Sequence, residues 1–178
     1  MSRFNQALKN LINYELLAKF CYKNSYQIPK IKKIILNLGI KKVHFKSILS
    51  AISLLEVISG HKCSLTDSKM SNISLKIRKG YPVGCFITLR NNQMFNFLNN
   101  INQNIFYKQK TFKNITVSKN KNKNIYNFSF ENLLNFNDLE QKYELFQDFV
   151  KLDISIVTNS NSVEELLFLL RSYRFPLK

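Results

Sequence analysis

Glycine and proline are scarce in this sequence, whose 178 residues contain four glycines, three prolines and no tryptophan. So few glycines leave no phosphate-cradling glycine loop. The three cysteines, Cys21, Cys63 and Cys85, stand alone, which argues against a disulfide framework and against metal-ligand spacing. No apolar run approaches the roughly 18 residues of a membrane span. We therefore expect no metal, no cofactor and no membrane partner.

Catalytic constellations are also missing. His44 and His61, the two histidines, do not lie near a carboxylate pair in the sequence. No nucleophile elbow or zinc-protease helix occurs, and Glu164–Glu165 and the acids at 138–148 are typical of solvated helix faces. The sequence thus predicts a protein that is not an enzyme and has no small-molecule substrate.

Acidic residues are absent from one long segment. No Asp or Glu occurs from Ser68 to Phe130, a segment of net charge +11 within a chain of net charge +16. Residues 1–67 carry +8, residues 131–165 carry −6, and the remainder carries +3. A fold gains nothing from such self-repulsion, so the distribution points to a polyanion such as nucleic acid. Anionic membrane is a poorer fit without a basic amphipathic helix.

Hydrophobic periodicity predicts an α+β protein, since helical and strand patterns alternate irregularly without a repeat. We expect an antiparallel sheet of about five strands, with helices mainly on one face, in a single domain with a protruding basic loop. Gly60 is placed to end the second helix, and Ser162 with Glu165 forms a capping box for the last one. The predicted helices cover 3–20, 47–59, 92–104 and 162 onwards, and the predicted strands cover 31–38, 62–67, 86–90, 126–130 and 152–158.

Three segments are predicted as distinct parts of that domain. Residues 1–24 contain an N-terminal helix, although Arg3, Lys9 and Lys19 also fit a weak organelle presequence. Residues 68–83 are expected to protrude, and the alternation over 71–79 predicts a strand that ends in a basic turn. Residues 105–124, rich in lysine, asparagine and serine, predict a basic loop. The acidic stretch 131–150 is ambiguous.

Several blocks of the sequence, in their order and spacing, resemble the large-subunit ribosomal protein L-five family, which binds 5S ribosomal RNA. The resemblance covers nearly the whole chain and is weakest over 105–150. The blocks are QIPKIKKIILNLGI at 27–40, ISGHK at 58–62, LKIRKGYPVGCFITLR at 75–90, MFNFLNNI at 94–101, LDISIVTNSNSVEELLFLL at 152–170 and the ending FPLK.

The resemblance implies a structural constituent of the large subunit, in its central protuberance, that binds 5S rRNA and large-subunit rRNA. Asn37 and Thr88 would act as neutral hydrogen-bond partners for bases or 2′-hydroxyls, and Lys62 and Arg90 would meet phosphates. His61 stands where the family usually has glutamine. The expected rRNA-binding residues are Lys33, Asn37, Gly39, His61, Lys62, Thr88 and Arg90.

A second surface follows from the resemblance, because the family's long loop before the third strand touches the P-site transfer RNA. Family members also contact a protein of the small-subunit head across an intersubunit bridge. The chain departs from the family at 112–130, where the usual glycine-rich run is replaced by residues without glycine. The expected tRNA-facing residues are Lys69, Lys76, Arg78, Lys79, Gly80, Tyr81 and Pro82.

The abundance of Asn, Lys, Ile and Phe indicates an AT-rich genome, so we expect a mitochondrially encoded member, with a plastid or a bacterial cytoplasm as the alternatives. Two other functions stay open at this stage. A free-standing RNA- or DNA-binding regulator would need a recognition helix, and none is evident. An RNA-modifying enzyme would need a catalytic constellation or a cofactor loop.

Overall fold

One six-stranded antiparallel sheet organises the protein. The computed structural model describes residues 3–40, 44–102, 115–117, 124–130, 133, 136, 139, 146 and 151–175. Along the sheet the strand order is β2-β3-β1-β6-β5-β4. The strands are β1 Ile31–Gly39, β2 Ser64–Asp67, β3 Pro82–Leu89, β4 Ile115–Val117, β5 Ile125–Phe130 and β6 Leu152–Thr158, and the helices are α1 Arg3–Lys19, α2 Phe45–Ser59, α3 Asn91–Asn100 and α4 Val163–Ser172.

The core lies between one face of the sheet and the helices. From Ile34 in β1, Cys85 in β3 and Leu152 in β6 onwards, every second side chain is buried, as strand alternation requires. These residues form one cluster with apolar side chains from all four helices. An edge-to-face pair of Phe128 and Phe130 extends this cluster across β5. The buried strand residues are Ile34, Leu36, Leu38, Cys85, Ile87, Leu89, Phe128, Phe130, Leu152, Ile154 and Ile156.

Helix termini follow the capping signals in the sequence. Gly60 adopts the left-handed conformation (φ 69°) at the end of α2 and donates its N–H to the Glu56 carbonyl at 2.8 Å. Ser162 Oγ accepts from the Glu165 N–H at 3.2 Å, whereas the Glu165 carboxylate accepts from the N–H of Asn161 at 2.9 Å. The first hydrogen bond of the predicted capping box is therefore present. In the second, Glu165 accepts from Asn161, the residue before the N-cap, instead of from Ser162 itself.

The structure confirms the predicted α+β class and the antiparallel sheet with helices on one face. Two details of the prediction are corrected. The third strand begins at Pro82 rather than at Phe86, and the sheet contains an additional strand, β4. That short strand lies within the segment predicted as a basic loop, and the remainder of 105–123 lies outside the described residues. The acidic stretch 131–150 is described only at Leu133, Phe136, Leu139 and Phe146, all buried.

Candidate nucleic-acid interface

The sheet face away from the helices carries the side chains that the core does not use. We call it the open face. In the β1–β3 register Asn37 pairs with Phe86, and Ile35 pairs with Thr88. Residues directly opposite in an antiparallel pair point to the same face, so these four side chains share it. The strand side chains on the open face are Lys33, Ile35, Asn37, Ser64, Thr66, Phe86, Thr88, Ile125, Asn127, Ser129, Asp153, Ser155 and Val157.

Hydroxyl and amide groups dominate the polar part of the open face. Asn37 and Thr88 are exposed, and Ser155 continues the row of Thr88 across the sheet because both residues pair with Ile35 of β1. Such groups donate and accept without charge, which suits the edges of bases and the 2′-hydroxyl of RNA. The half-buried Phe86 adds an aromatic ring, which can stack on a base.

Asp153 places a carboxylate on the open face, on the central strand β6. It pairs with Asn37, and its Oδ1 lies 3.5 Å from the Lys151 ammonium. Both side chains are half exposed, so this ion pair is worth about 0–1 kcal/mol. The carboxylate is therefore weakly compensated, and it repels phosphates from its own row of the sheet.

Cationic side chains lie at the edge of the open face and not at its centre. We call this edge the rim. Arg90 keeps an extended backbone (φ −136°, ψ 162°) after Leu89, which pairs with Ile34. Arg90 thus lies at the same end of the sheet as Lys33, the residue before Ile34. Phosphates bound at this rim would leave bases and sugars over the centre of the open face.

A hydrogen-bonded turn presents His61 and Lys62 between α2 and β2. The Ser59 hydroxyl accepts from the His61 N–H at 3.2 Å, and the Glu56 carboxylate accepts from the Cys63 N–H at 3.3 Å. Lys62 is exposed and His61 is half-buried. By the register, Ser64 pairs with Phe86, so the turn lies next to the open face at β3.

Amide side chains that the sequence analysis missed accompany this turn. Gln93, Asn96 and Asn100 are exposed on α3 and line a cavity of about 260 Å³ together with His61. Their spacing of three and four residues places them on one face of the helix. That spacing was readable in the sequence, but the proximity of α3 to the turn comes from tertiary packing.

The loop from Ser68 to Tyr81 is closed at two levels by backbone hydrogen bonds. Ser68 N–H donates to the Tyr81 carbonyl at 2.8 Å, and Asn72 and Ile77 exchange bonds of 2.8 and 3.0 Å. Residues 73–76 form a turn, so the strand predicted over 71–79 is wrong apart from this single bridge. Without a partner strand on either side, the alternating side chains have no sheet to join.

The basic side chains of the loop are all exposed. Lys76 takes a positive φ of 54° at the end of the turn, and Gly80 takes 85° where the chain returns to β3. Tyr81 is half exposed, and Pro82 opens β3. The loop also exposes three apolar side chains, Met70, Ile73 and Leu75. Together these groups offer phosphate-binding cations and apolar contacts on one projection, with Lys69, Arg78 and Lys79 also exposed.

Gly39 and Gly84 pair with each other at the point where the loop and the open face meet. A Cβ on Gly84 would lie 2.8 Å from the Leu38 carbonyl oxygen and 2.9 Å from Thr66 Oγ1, whereas one on Gly39 would meet nothing within 4 Å. Gly84 is therefore required for strand packing. Because Gly39 has no side chain, the backbone of β1 is uncovered at this end of the open face, and another molecule's backbone can approach it.

The described part of the chain shows no metal centre and no membrane span. No group of three His, Cys, Asp or Glu side chains there could hold a metal ion. No described helix is both long and apolar enough to cross a membrane.

Comparisons with family models and with known proteins point to the same family. Residues 82–177 match the C-terminus of the ribosomal L5 family. The chain is 33% identical to the large ribosomal subunit protein uL5m of Reclinomonas americana, over 99% of this chain and 98% of that protein. It is 34% identical to uL5c of Stigeoclonium helveticum, over 94% and 93%. It is 31% identical to uL5 of Blochmanniella floridana, over 100% and 94%.

These relatives are mitochondrial, plastid and bacterial, the settings that the composition predicted. The family match covers more than half of the chain. The relatives are more than 30% identical to it over almost its whole length, which establishes the family. The chain belongs to the ribosomal L5 family of large-subunit proteins, a structural and non-enzymatic constituent of the ribosome.

Proposed function

We propose that this ribosomal protein anchors 5S rRNA in the central protuberance through its open face. The observation that carries the proposal is the arrangement of uncharged hydrogen-bonding groups, Asn37, Thr88 and Ser155, inside a cationic rim. Base edges and 2′-hydroxyls fit the centre, and phosphates fit the rim formed by Lys33, Lys62 and Arg90.

The loop from Ser68 to Tyr81 is proposed to contact the P-site transfer RNA. Its basic side chains are exposed on a loop held by its own backbone hydrogen bonds, so they remain available to phosphates. The exposed Met70, Ile73 and Leu75 support a further contact with a protein of the small-subunit head, which would make the loop part of an intersubunit bridge.

Crosslinking in intact cells tests both surfaces. The protein is irradiated with ultraviolet light, purified under denaturing conditions, and the attached RNA is sequenced with the crosslinked peptide identified. We expect 5S rRNA on peptides containing Asn37, Lys62 or Arg90, and transfer RNA on the peptide spanning Lys76 to Tyr81. Large-subunit rRNA instead of 5S rRNA at Asn37 would reassign the open face, and messenger RNA at either surface would contradict the proposal.

A further inference from the structure

A basic concavity lies among the helices, on the side of the sheet opposite the open face. It is a cleft of about 340 Å³ between α1, α3, the C-terminal end of α4 and the start of β1. We call it the helix-side cleft. None of the described residues that line it carries a carboxylate, and three are lysines: Lys9, Lys30 and Lys32.

None of the acidic residues that the structure describes engages the three lysines of the cleft. No ion pair joins any of them to another residue in the part of the chain that the structure describes. Lys30 and Lys32 are exposed, and Lys9 is half-buried at the other wall. Three ammonium groups around one concavity repel one another, so an anion placed between them lowers the free energy of the site.

The interior of the cleft differs from its rim. Ile31 and Met94 are buried and Phe95 is half-buried, which makes the floor apolar and partly aromatic. Asn13, Asn91 and Asn92 add amide groups that donate and accept. A floor of this kind suits a flat heterocyclic ring, since stacking on aromatic side chains needs only an exposed π-face. The volume is at the small end of ligand pockets.

The strand β1 explains how one chain segment serves two sides. Lys33 pairs with Val157 on the open face, whereas Lys32 lines the helix-side cleft. β1 bulges between Ile31 and Lys33, so Lys32 stands outside the regular register with β6, and the two adjacent lysines reach two separate surfaces. A polyanion on the open face therefore does not neutralise the cleft.

We infer that the helix-side cleft binds one unpaired nucleotide of ribosomal RNA, with its phosphate at Lys30 and Lys32 and its base on the apolar floor. The inference rests on the proposed function only in taking RNA as the partner. It adds a second RNA segment, separate from the one on the open face, so that the protein is held from both sides of its sheet.

Photocrosslinking from two matched positions tests the inference in assembled ribosomes. A benzophenone analogue of phenylalanine replaces Phe95 in the cleft or Phe86 on the open face, in otherwise identical full-length proteins. We expect both probes to attach to ribosomal RNA, at different segments. RNA at Phe86 with protein or nothing at Phe95 overturns the inference and leaves the proposed function standing. If neither probe attaches to RNA, both fail.

Charge removal gives an independent measurement on the purified full-length protein. The probe is a fluorescein-labelled single-stranded RNA dodecamer of mixed sequence, and its affinity is measured over a range of salt concentrations. The double variant Lys30→Gln with Lys32→Gln should lower the slope of log K against log salt by about 0.7, since the one phosphate that the two lysines share contributes about 0.7 on a single strand. The control Lys23→Gln with Lys46→Gln removes two exposed lysines outside the cleft.

Equal slopes for the cleft variant and the control contradict the inference. Competition distinguishes RNA from free small anions. We expect adenosine monophosphate to displace the dodecamer only weakly and inorganic phosphate not at all, because one nucleotide lacks the neighbouring phosphates of a strand. Displacement by adenosine monophosphate at micromolar concentration would mean a free-nucleotide site and would overturn the assignment to RNA.

Discussion

At the scale of single residues, two paired glycines of β1 and β3 have different roles, one in packing and one at the proposed binding surface. Gly84 and Gly39 face each other across β3 and β1, yet only Gly84 has backbone and side-chain atoms where a Cβ would be. Neither has a positive φ. The difference between them is thus one of contact and not of backbone conformation.

Gly84→Ala should lower the free energy of unfolding by about 1–3 kcal/mol, the usual cost of overpacking a tight site. The Leu38 carbonyl belongs to the backbone of β1, so it cannot move aside without disturbing the sheet. Urea unfolding followed by circular dichroism measures the change. Gly39→Ala is the matched control and should stay within about 0.5 kcal/mol of the wild type. Equal losses in the two variants would contradict the packing argument.

Burial also changes the chemistry of a cysteine. Cys85 is fully buried in the core face of β3, and this burial raises the pKa of its thiol to about 12 from an ordinary value of 9.0. The nearby Cys63 adds to the shift, and its own pKa is raised by burial as well. The folded state therefore favours the neutral thiol over the thiolate.

We expect this group to stabilise the fold fully below pH 9 and to lose that contribution as the pH rises from about 9 to about 12. A raised pKa means that the unfolded state releases its proton first, so alkaline pH favours unfolding. Chemical denaturation at several pH values should show a steeper alkaline loss for the wild type than for Cys85→Ala. Cys21→Ala, at an exposed position, should follow the wild type. Parallel curves for all three proteins would rule out Cys85 as a source of the alkaline loss.

At the scale of elements, the loop from Ser68 to Tyr81 is held by its own backbone and contributes little to the core. Its side chains are exposed, except for Ser68 and Ile77, which are half-buried. Substitutions on it should therefore separate binding from stability, since surface changes rarely move stability by more than about 0.5 kcal/mol.

Arg78→Gln with Lys79→Gln should weaken P-site transfer RNA binding to assembled ribosomes several-fold while leaving the unfolding midpoint unchanged. The loss follows from removing two cations that face phosphates in the proposed complex. Filter binding of labelled transfer RNA to purified ribosomes measures it. Lys23→Gln with Lys46→Gln controls for net charge. An unchanged affinity in the loop variant would separate the loop from transfer RNA.

At the scale of the whole molecule, the charge map and the fold agree. The carboxylate-free segment from Ser68 to Phe130 contributes the loop, β3, α3 and β5, which include parts of all three proposed RNA surfaces. The buried apolar core lies on the helix side of the sheet, and the whole chain carries a net charge of +16. A polyanion on both sides would relieve the self-repulsion of the isolated chain.

A ribosomal constituent of this charge should sediment almost entirely with large-subunit particles, and little should remain in the soluble fraction. We expect release only at high salt, because screening weakens contacts to phosphates. Cell extracts are fractionated on sucrose gradients at rising salt, and an epitope-tagged chain is detected in each fraction. This measures the share of the protein that sediments with large-subunit particles and the salt concentration that releases it. A protein found mainly in the soluble fraction at low salt would act as a free-standing regulator instead.

Local patterns were sufficient to predict most helices and strands, because a buried face imposes its period on the sequence. The class of fold, the cap at Gly60, the polyanionic partner and the family resemblance all followed from residues near one another in the chain. The same local reading failed over 71–79, where alternation suggested a strand. Whether such a segment pairs depends on a neighbour that the sequence does not identify.

Only the tertiary structure decided which distant residues meet. Strand register set Asn37 beside Phe86 and Asp153 and put Lys33 on the open face, whereas the bulge in β1 left Lys32 at the helix-side cleft. The packing of α1 and α3 against the start of β1 created the helix-side cleft from residues far apart in the chain, such as Lys9 and Asn92. Composition predicted a polyanionic partner, and the fold determined which candidate binding groups lie together, since long-range contacts rather than local spacing bring them into one place.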